Sequence, residues 1–232
     1  MYHLMKLELQ KHKIGWFVKG AILSNIIILA LLYFFTIIEK IENEILFRTT
    51  TDFFTISGIL IRATFIIFAA VLISKFIIDE FKNRTSLVMF SYPIDRKKIM
   101  MSKLLLIFIL TFCSMLISTC FVVLSFIGLN EMFQLSVNLN FSAQSILPEL
   151  MSMMMFNLVA AGASLVPLYF GMLKYSTPAT IVSAIIIALV TNSSYGPEYS
   201  LINLLYMPLG LAIIAILIIG LALRNINRLE LN

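Results

Sequence analysis

A polar, basic segment at residues 79–103 separates two long apolar runs, and this arrangement limits what the chain can fold into. The segment reads DEFKNRTSLVMFSYPIDRKKIMMSK, and together with Lys75 it holds seven of the seventeen Lys and Arg residues. Because 60% of all residues are hydrophobic and 12% are charged, the composition is far from that of a soluble domain. We therefore expect the 79–103 segment to lie in water on one definite side of a membrane.

Apolar runs of about 20 residues are long enough to cross a bilayer as helices, and the chain has six candidates. They lie at residues 16–38, 59–78 (with a start as early as 53), 104–129, 150–173, 178–190 and 201–223. We expect an all-α integral membrane protein with an amphipathic interfacial helix at 1–15. A six-helix transmembrane domain at 16–232 follows, with a cytoplasmic loop at 79–98. Pro167 should loosen or kink the fourth helix.

The distribution of Lys and Arg predicts the orientation of these spans. Basic residues concentrate in the N-terminal segment, in the 79–103 segment, and at Lys174, Arg224 and Arg228. The loops at 130–149 and 191–200 contain no basic residue. We therefore expect both termini and the 79–103 segment in the cytoplasm, which requires an even number of spans and agrees with six.

The N-terminal segment, residues 1–15, is too polar to span a membrane. Leu4, Leu7 and Ile14 share one face of a helix, while charged residues occupy the rest. This pattern is typical of a helix in the membrane interface, with lysines directed to anionic headgroups. The alternative is a charged tail that only enforces the topology.

The 79–103 segment has an internal order of its own. Residues 79–90 can form a short helix, and Asp79 and Glu80 in its first turn suit the helix dipole. Pro93 ends that helix, and Asp95 is placed to cap the third span. One interpretation is a loop that lies on lipid. The other is a docking helix that inserts apolar side chains into a groove on a partner.

This order of residues resembles the first cytoplasmic loop of type-2 ABC transporter permeases. The resemblance rests on D-E-F at 79–81, R-T at 84–85, Y-P-I-D-R-K-K-I at 92–99, and Lys103. Asp95 replaces the usual Ser or Thr, and Arg84 replaces a common Gly. In length and in its Ile- and Lys-rich composition the chain is similar to small membrane subunits of bacitracin, lantibiotic-immunity and peptide exporters of Gram-positive bacteria.

The resemblance implies a dimer of permease subunits, identical or homologous, in the cell membrane of a Gram-positive bacterium. A separate cytoplasmic ATPase would bind ATP and magnesium, so we expect no cofactor, metal site or enzymatic activity in this chain, and no nucleic-acid partner. The expected function is export of an antimicrobial peptide or another lipophilic or amphipathic substrate. The residues implied in coupling to the ATPase are Asp79, Glu80, Phe81, Arg84, Leu87, Phe90, Pro93 and Arg96.

Two other classes compete with this interpretation. The main alternative is a six-helix secondary carrier or accessory membrane protein without an ATPase. An intramembrane enzyme would need ionisable residues in its spans, but the two histidines, His3 and His12, precede the first span. Within the spans, Arg62 is expected to be an interfacial anchor or a partner of Glu149. Asn157 should bond across helices. Arg62 and Asn157 are also the candidates for a substrate path.

Overall fold

The structure, a computed structural model, describes residues 5, 7–9, 15–42, 47, 49–82, 96–133, 143–192, 210, 213 and 220. These residues form helices, and no strand is present among them. Met5 and residues 7–9 are helical. The further elements in chain order are α1 (Gly15–Glu42), α2 (Thr50–Ile73), a π-helical turn (Ser74–Ile78), α3 (Asp79–Lys82), α4 (Arg96–Phe133), α5 (Ala143–Ala163), α6 (Pro167–Lys174) and α7 (Thr177–Asn192).

Four helical stretches are long and apolar enough to cross a membrane. They are Gly15–Glu39, Thr50–Lys82, Lys98–Glu131 and Ile146–Leu173, and the apolar Thr177–Asn192 is shorter. The first five predicted spans thus correspond to helices, and the chain is a helical membrane protein. The sixth predicted span falls almost entirely outside the described residues. The count of six and the side of the termini therefore stay predictions.

Helix α2 is the centre of the bundle, in contact with α1, α4, α5, α6 and α7. Ile61, Phe65 and Ile66 are fully buried. The helix is apolar on all sides because neighbours surround it, as expected for a buried helix. Whatever holds the end of α2 is therefore placed to influence most of the bundle.

Helix α2 begins at Thr50, three residues before the earliest predicted start at 53. Thr49 caps it: the Thr49 hydroxyl accepts a hydrogen bond from the Asp52 N–H, and the Asp52 carboxylate accepts one from the Thr49 N–H. This reciprocal arrangement is a capping box. The added turns bring Phe53 into the core, stacked on Phe126 with ring centroids 4.3 Å apart.

The fourth predicted span is divided into α5 and α6. Residues 164–166 form a tighter turn, in which the N–H of Leu165 donates to the Gly162 carbonyl three residues back. Pro167 occupies the first turn of α6, where its missing N–H costs least. The predicted loosening at Pro167 is confirmed.

Candidate functional site: the junction at the end of α2

Lys103 of α4 is a buried cation, with 2% of its surface exposed. Its ammonium group donates to the Glu80 carboxylate at the start of α3 and, at 3.0 Å, to the Phe76 carbonyl in the π-helical turn. It also pairs with the Glu8 carboxylate of the N-terminal segment at 3.3 Å. Lysine is rarely buried without such partners. One side chain thus joins three parts of the chain.

The π-helical turn lies where α2 leaves the core. The N–H of Asp79 donates to the Ser74 carbonyl five residues back, which widens the helix by one residue relative to an α-helix. Such turns are rare and often occur at functional sites. No pattern in the sequence indicated this one.

Helix α3 has a second attachment, through Phe81. The Phe81 ring stacks on Tyr175 with centroids 5.9 Å apart and an angle of 22° between the planes. Tyr175 ends α6 in a left-handed conformation, with φ of 46°, which is uncommon for a residue other than glycine. Because Glu80 binds α4 and Phe81 contacts the link from α6 to α7, α3 is fixed from two sides.

The start of α1 is attached to the same region. The Lys75 ammonium lies 3.7 Å from the centre of the Trp16 ring, a cation–π geometry, and Phe17 meets Phe68 edge to face at 5.8 Å. We refer to the whole arrangement as the junction; its residues are Glu8, Trp16, Lys75, Phe76, Glu80, Phe81, Lys103 and Tyr175.

The predicted coupling residues lie in different settings. Asp79 is half-buried, Glu80 is buried against Lys103, and Phe81 is half-buried against Tyr175. Arg96 begins α4. The other four lie outside the described residues: Arg84, Leu87, Phe90 and Pro93.

Sequence reasoning did not assign roles to Lys103, Tyr175, Lys75 or Glu8. For Lys103 a signal existed, because it sits in the apolar run MMSKLLL, where an unpaired lysine would be costly. The stacking of Tyr175 depends on a distant helix and left no local pattern.

Arg62 lies deep in the bundle, with 3% of its surface exposed. It follows Thr50 by twelve residues, about 18 Å along the helix axis. Its guanidinium carbon is 5.6 Å from the centre of the Phe156 ring. A Cβ added at Gly58 would lie 2.9 Å from Arg62 Nη1, so the missing side chain makes room for the guanidinium group. Arg62 therefore lies inside the bundle and not at its surface.

Glu149 is occupied elsewhere. Its carboxylate accepts a hydrogen bond from the Thr51 hydroxyl at 2.9 Å, near the start of α2. The predicted roles of Arg62 as an interfacial anchor or as the partner of Glu149 are therefore wrong. The prediction was wrong because α2 was expected to start near residue 59, which would have put Arg62 close to the membrane surface.

Asn157 joins α5 to α4. Its Nδ2 donates to the Thr119 hydroxyl at 3.0 Å, and that hydroxyl donates to the Met115 carbonyl at 2.8 Å. The predicted interhelical bond of Asn157 is confirmed. Phe156, the neighbour of Asn157 in the chain, contacts Arg62. The bond from Asn157 to Thr119 therefore lies at about the same depth in the bundle as Arg62.

The bundle of long apolar helices, with Arg62 and Asn157 inside it and a charged junction at one end, is that of a multi-pass membrane protein. Residues 4–194 match the profile of the ABC-2 family transporter protein, and the chain belongs to this family. It is a membrane-spanning permease subunit of an ABC transporter, which agrees with the resemblance found in the 79–103 segment.

A curated relative covers nearly the whole chain. The uncharacterized protein YcbO of Bacillus subtilis (strain 168) is 38% identical over 226 residues, which are 97% of this chain and 98% of that protein. No solved structure matches the chain.

Proposed function

We propose that the chain is the permease of an ATP-driven exporter, with a peptide or another amphipathic molecule as its substrate. Two such subunits would line the path, and a separate cytoplasmic ATPase would drive them with ATP and magnesium. The 79–98 segment would receive the ATPase, and α3 would be the first part of the coupling helix.

The observation that carries this proposal is the double attachment of α3. Glu80 is fixed to Lys103 of α4, and Phe81 is fixed to Tyr175 between α6 and α7. Because α3 also continues the central helix α2, a force on the 79–98 segment would reach most of the bundle. A loop that only rested on lipid would not need such anchors.

Within this proposal the expected coupling residues form two groups. Glu80 and Phe81 serve internal attachment, so the docking surface falls to residues further along the segment. Leu87 and Phe90 are the apolar candidates there, and they lie outside the described residues.

The decisive experiment is co-purification of an ATPase with the tagged permease, followed by the double variant Leu87→Asp, Phe90→Asp. Burial of such side chains contributes about 1.5–3 kcal/mol each, so we expect ATPase binding to weaken more than tenfold. Lys19→Asp, at an exposed position of α1 outside the 79–98 segment, is the control and should bind normally. Unchanged binding in the double variant would favour the secondary carrier or accessory protein.

Direction and substrate need a transport measurement. Vesicles with the reconstituted complex should accumulate candidate amphipathic peptides from the ATPase-exposed side only with ATP. Accumulation that follows an ion gradient without ATP would instead support the carrier.

We also propose that the layer of Arg62 and Asn157 borders the substrate path. A permanent charge held deep in an apolar bundle is costly, and a role toward substrate would account for it. Arg62→Gln should then alter substrate preference at unchanged ATPase binding, whereas an effect on protein amount alone would assign Arg62 to the core.

A further inference from the structure

The π-helical turn Ser74–Ile78 is held by a side chain from another helix. π-Helical residues make up well under about 1% of the residues in globular proteins. Where a π-helical turn is present, we therefore expect a contact from another part of the chain to stabilise it. Lys103 supplies it, through its bond of 3.0 Å to the Phe76 carbonyl. Lys103 and the π-helical turn therefore belong to one unit.

The polar groups of the turn are not all satisfied. Two buried serines outside the turn, Ser57 and Ser102, each donate a hydrogen bond to the backbone carbonyl three residues back. The Ser74 hydroxyl is buried and has no hydrogen-bond partner among the described residues. A buried hydroxyl without a partner is costly. Besides its backbone bonds, the turn thus gains a hydrogen bond from Lys103 but none from the Ser74 hydroxyl.

Two contacts fix the rotation of α3 in this state. They are the Glu80 contact with Lys103 and the Phe81 contact with Tyr175. An α-helix turns about 100° for each residue. If the π-helical turn took α-helical register and kept all its residues, α3 would rotate by about that angle. Both contacts would then break together.

We propose that Lys103 is a positioning residue that sets the rotation of α3 by holding the π-helical turn in its wide register. When Lys103 is released, the turn takes α-helical register and α3 rotates. The inference rests on the proposed function, because this rotation would be the movement that an ATPase on the 79–98 segment drives. Through Glu8, the same lysine also responds to the position of the N-terminal segment.

The test measures the distance between spin labels at positions 82 and 105 in the full chain in lipid nanodiscs. Lys82 and Leu105 are exposed, and Cys113 and Cys120 would be changed to Ser. In Lys103→Met the distance should shift by about 5 Å or more, the arc that a rotation of about 100° gives a side chain. Lys19→Met, at an exposed position of α1 outside the junction, is the control and should leave the distance unchanged.

A deletion separates a change of register from simple loosening. A π-helical turn is an α-helix with one residue added, so deletion of Lys75 should give α-helical register and leave α3 in its present rotation. Lys103→Met should therefore shift the distance in the full chain but not in the chain that lacks Lys75.

An unchanged distance in Lys103→Met, or an equal shift in the presence of the deletion, would overturn the proposal. If Lys103→Met does not fold, Glu80→Gln takes its place. Glu80→Gln should give two populations of label distances, the original one and the shifted one. A single population at the original distance would overturn the proposal. All these distances are measured on the permease alone. Failure of an ATPase to co-purify would count against the proposed function. The role of Lys103 in the rotation of α3 would still be tested by the label distances.

Discussion

The rings of Phe81 and Tyr175 lie nearly parallel, with centroids 5.9 Å apart and an angle of 22° between their planes. The two residues are far apart in the chain, and their contact ties α3 to the link between α6 and α7. Neither residue is fully buried, so the contribution of this pair comes mainly from the stacking itself.

A double-mutant cycle of Phe81→Ala and Tyr175→Ala should measure this stacking. Aromatic pairs contribute about 0.5–1.5 kcal/mol beyond the burial of their area, so we expect a coupling energy of that size in the free energy of unfolding. Reversible unfolding in mixed micelles is the measurement. Phe170→Ala, at an exposed position, serves as the control for loss of a ring. Strictly additive effects would show that the stacking contributes nothing.

Gly171 permits the close approach of α6 and α7. A Cβ added there would collide with the Thr180 hydroxyl and lie 3.0 Å from Ile78 Cδ1, at the end of the π-helical turn. Gly171→Ala should destabilise the protein by about 1–3 kcal/mol, the usual cost of overpacking, and lower its thermal midpoint. Thr180→Ala should restore part of the loss.

The matched control for that change is Gly162→Ala. A Cβ at Gly162 meets nothing within 4 Å among the described atoms, and alanine favours a helix by about 1 kcal/mol over glycine. The thermal midpoint should stay the same or rise. Equal losses at both glycines would contradict the packing described for α6 and α7.

Loss of one partner of the hydrogen bond from Asn157 to Thr119 should destabilise the protein more than loss of both partners. Thr119→Val leaves the buried Asn157 Nδ2 without its acceptor and should cost about 1–3 kcal/mol. Removal of both polar groups, by Thr119→Val with Asn157→Leu, should cost less than Thr119→Val alone. Unfolding free energies of the three proteins test this order, and a double variant less stable than the single one would refute it.

Arg62 should not be replaceable by lysine. The guanidinium group lies over the Phe156 ring and against Gly58, and lysine lacks the planar group that makes such stacking favourable. A desolvated cation–π contact is worth about 2 kcal/mol, so Arg62→Lys should lower stability by roughly that amount. In the presence of Phe156→Ala the same change should cost clearly less. A lysine variant as stable as the original would show that only the charge matters.

Hydropathy and the position of a proline predicted the helices that the structure shows, whereas the orientation predicted from charge stays a prediction. The first five spans and the break at Pro167 follow from the length of apolar runs and from the chemistry of proline, which act locally. Helix α2 begins three residues before the earliest predicted start, 53, because Thr49 and Asp52 are polar and a hydropathy pattern assigns polar residues to loops. Their capping box makes them the beginning of a helix instead.

The junction was only partly predictable, for a different reason. Glu80 and Phe81 were identified through the resemblance of their segment, but their partners Lys103 and Tyr175 are brought to them by the packing of distant helices. The π-helical turn is contacted by Lys103 from α4, and no pattern within residues 74–78 indicates a π-helical turn. Tertiary contacts of this kind leave no periodic signal in the sequence.

The contact of Trp16 with Lys75 has a practical consequence. Trp16 is the only tryptophan among the 232 residues, and its ring lies 3.7 Å from an ammonium group within the π-helical turn. The indole emission of the unlabelled protein therefore comes from a single known place, beside the π-helical turn that is proposed to change register. The native chain carries its own optical reporter, by which the proposed rotation of α3 could be followed in real time as a change in fluorescence.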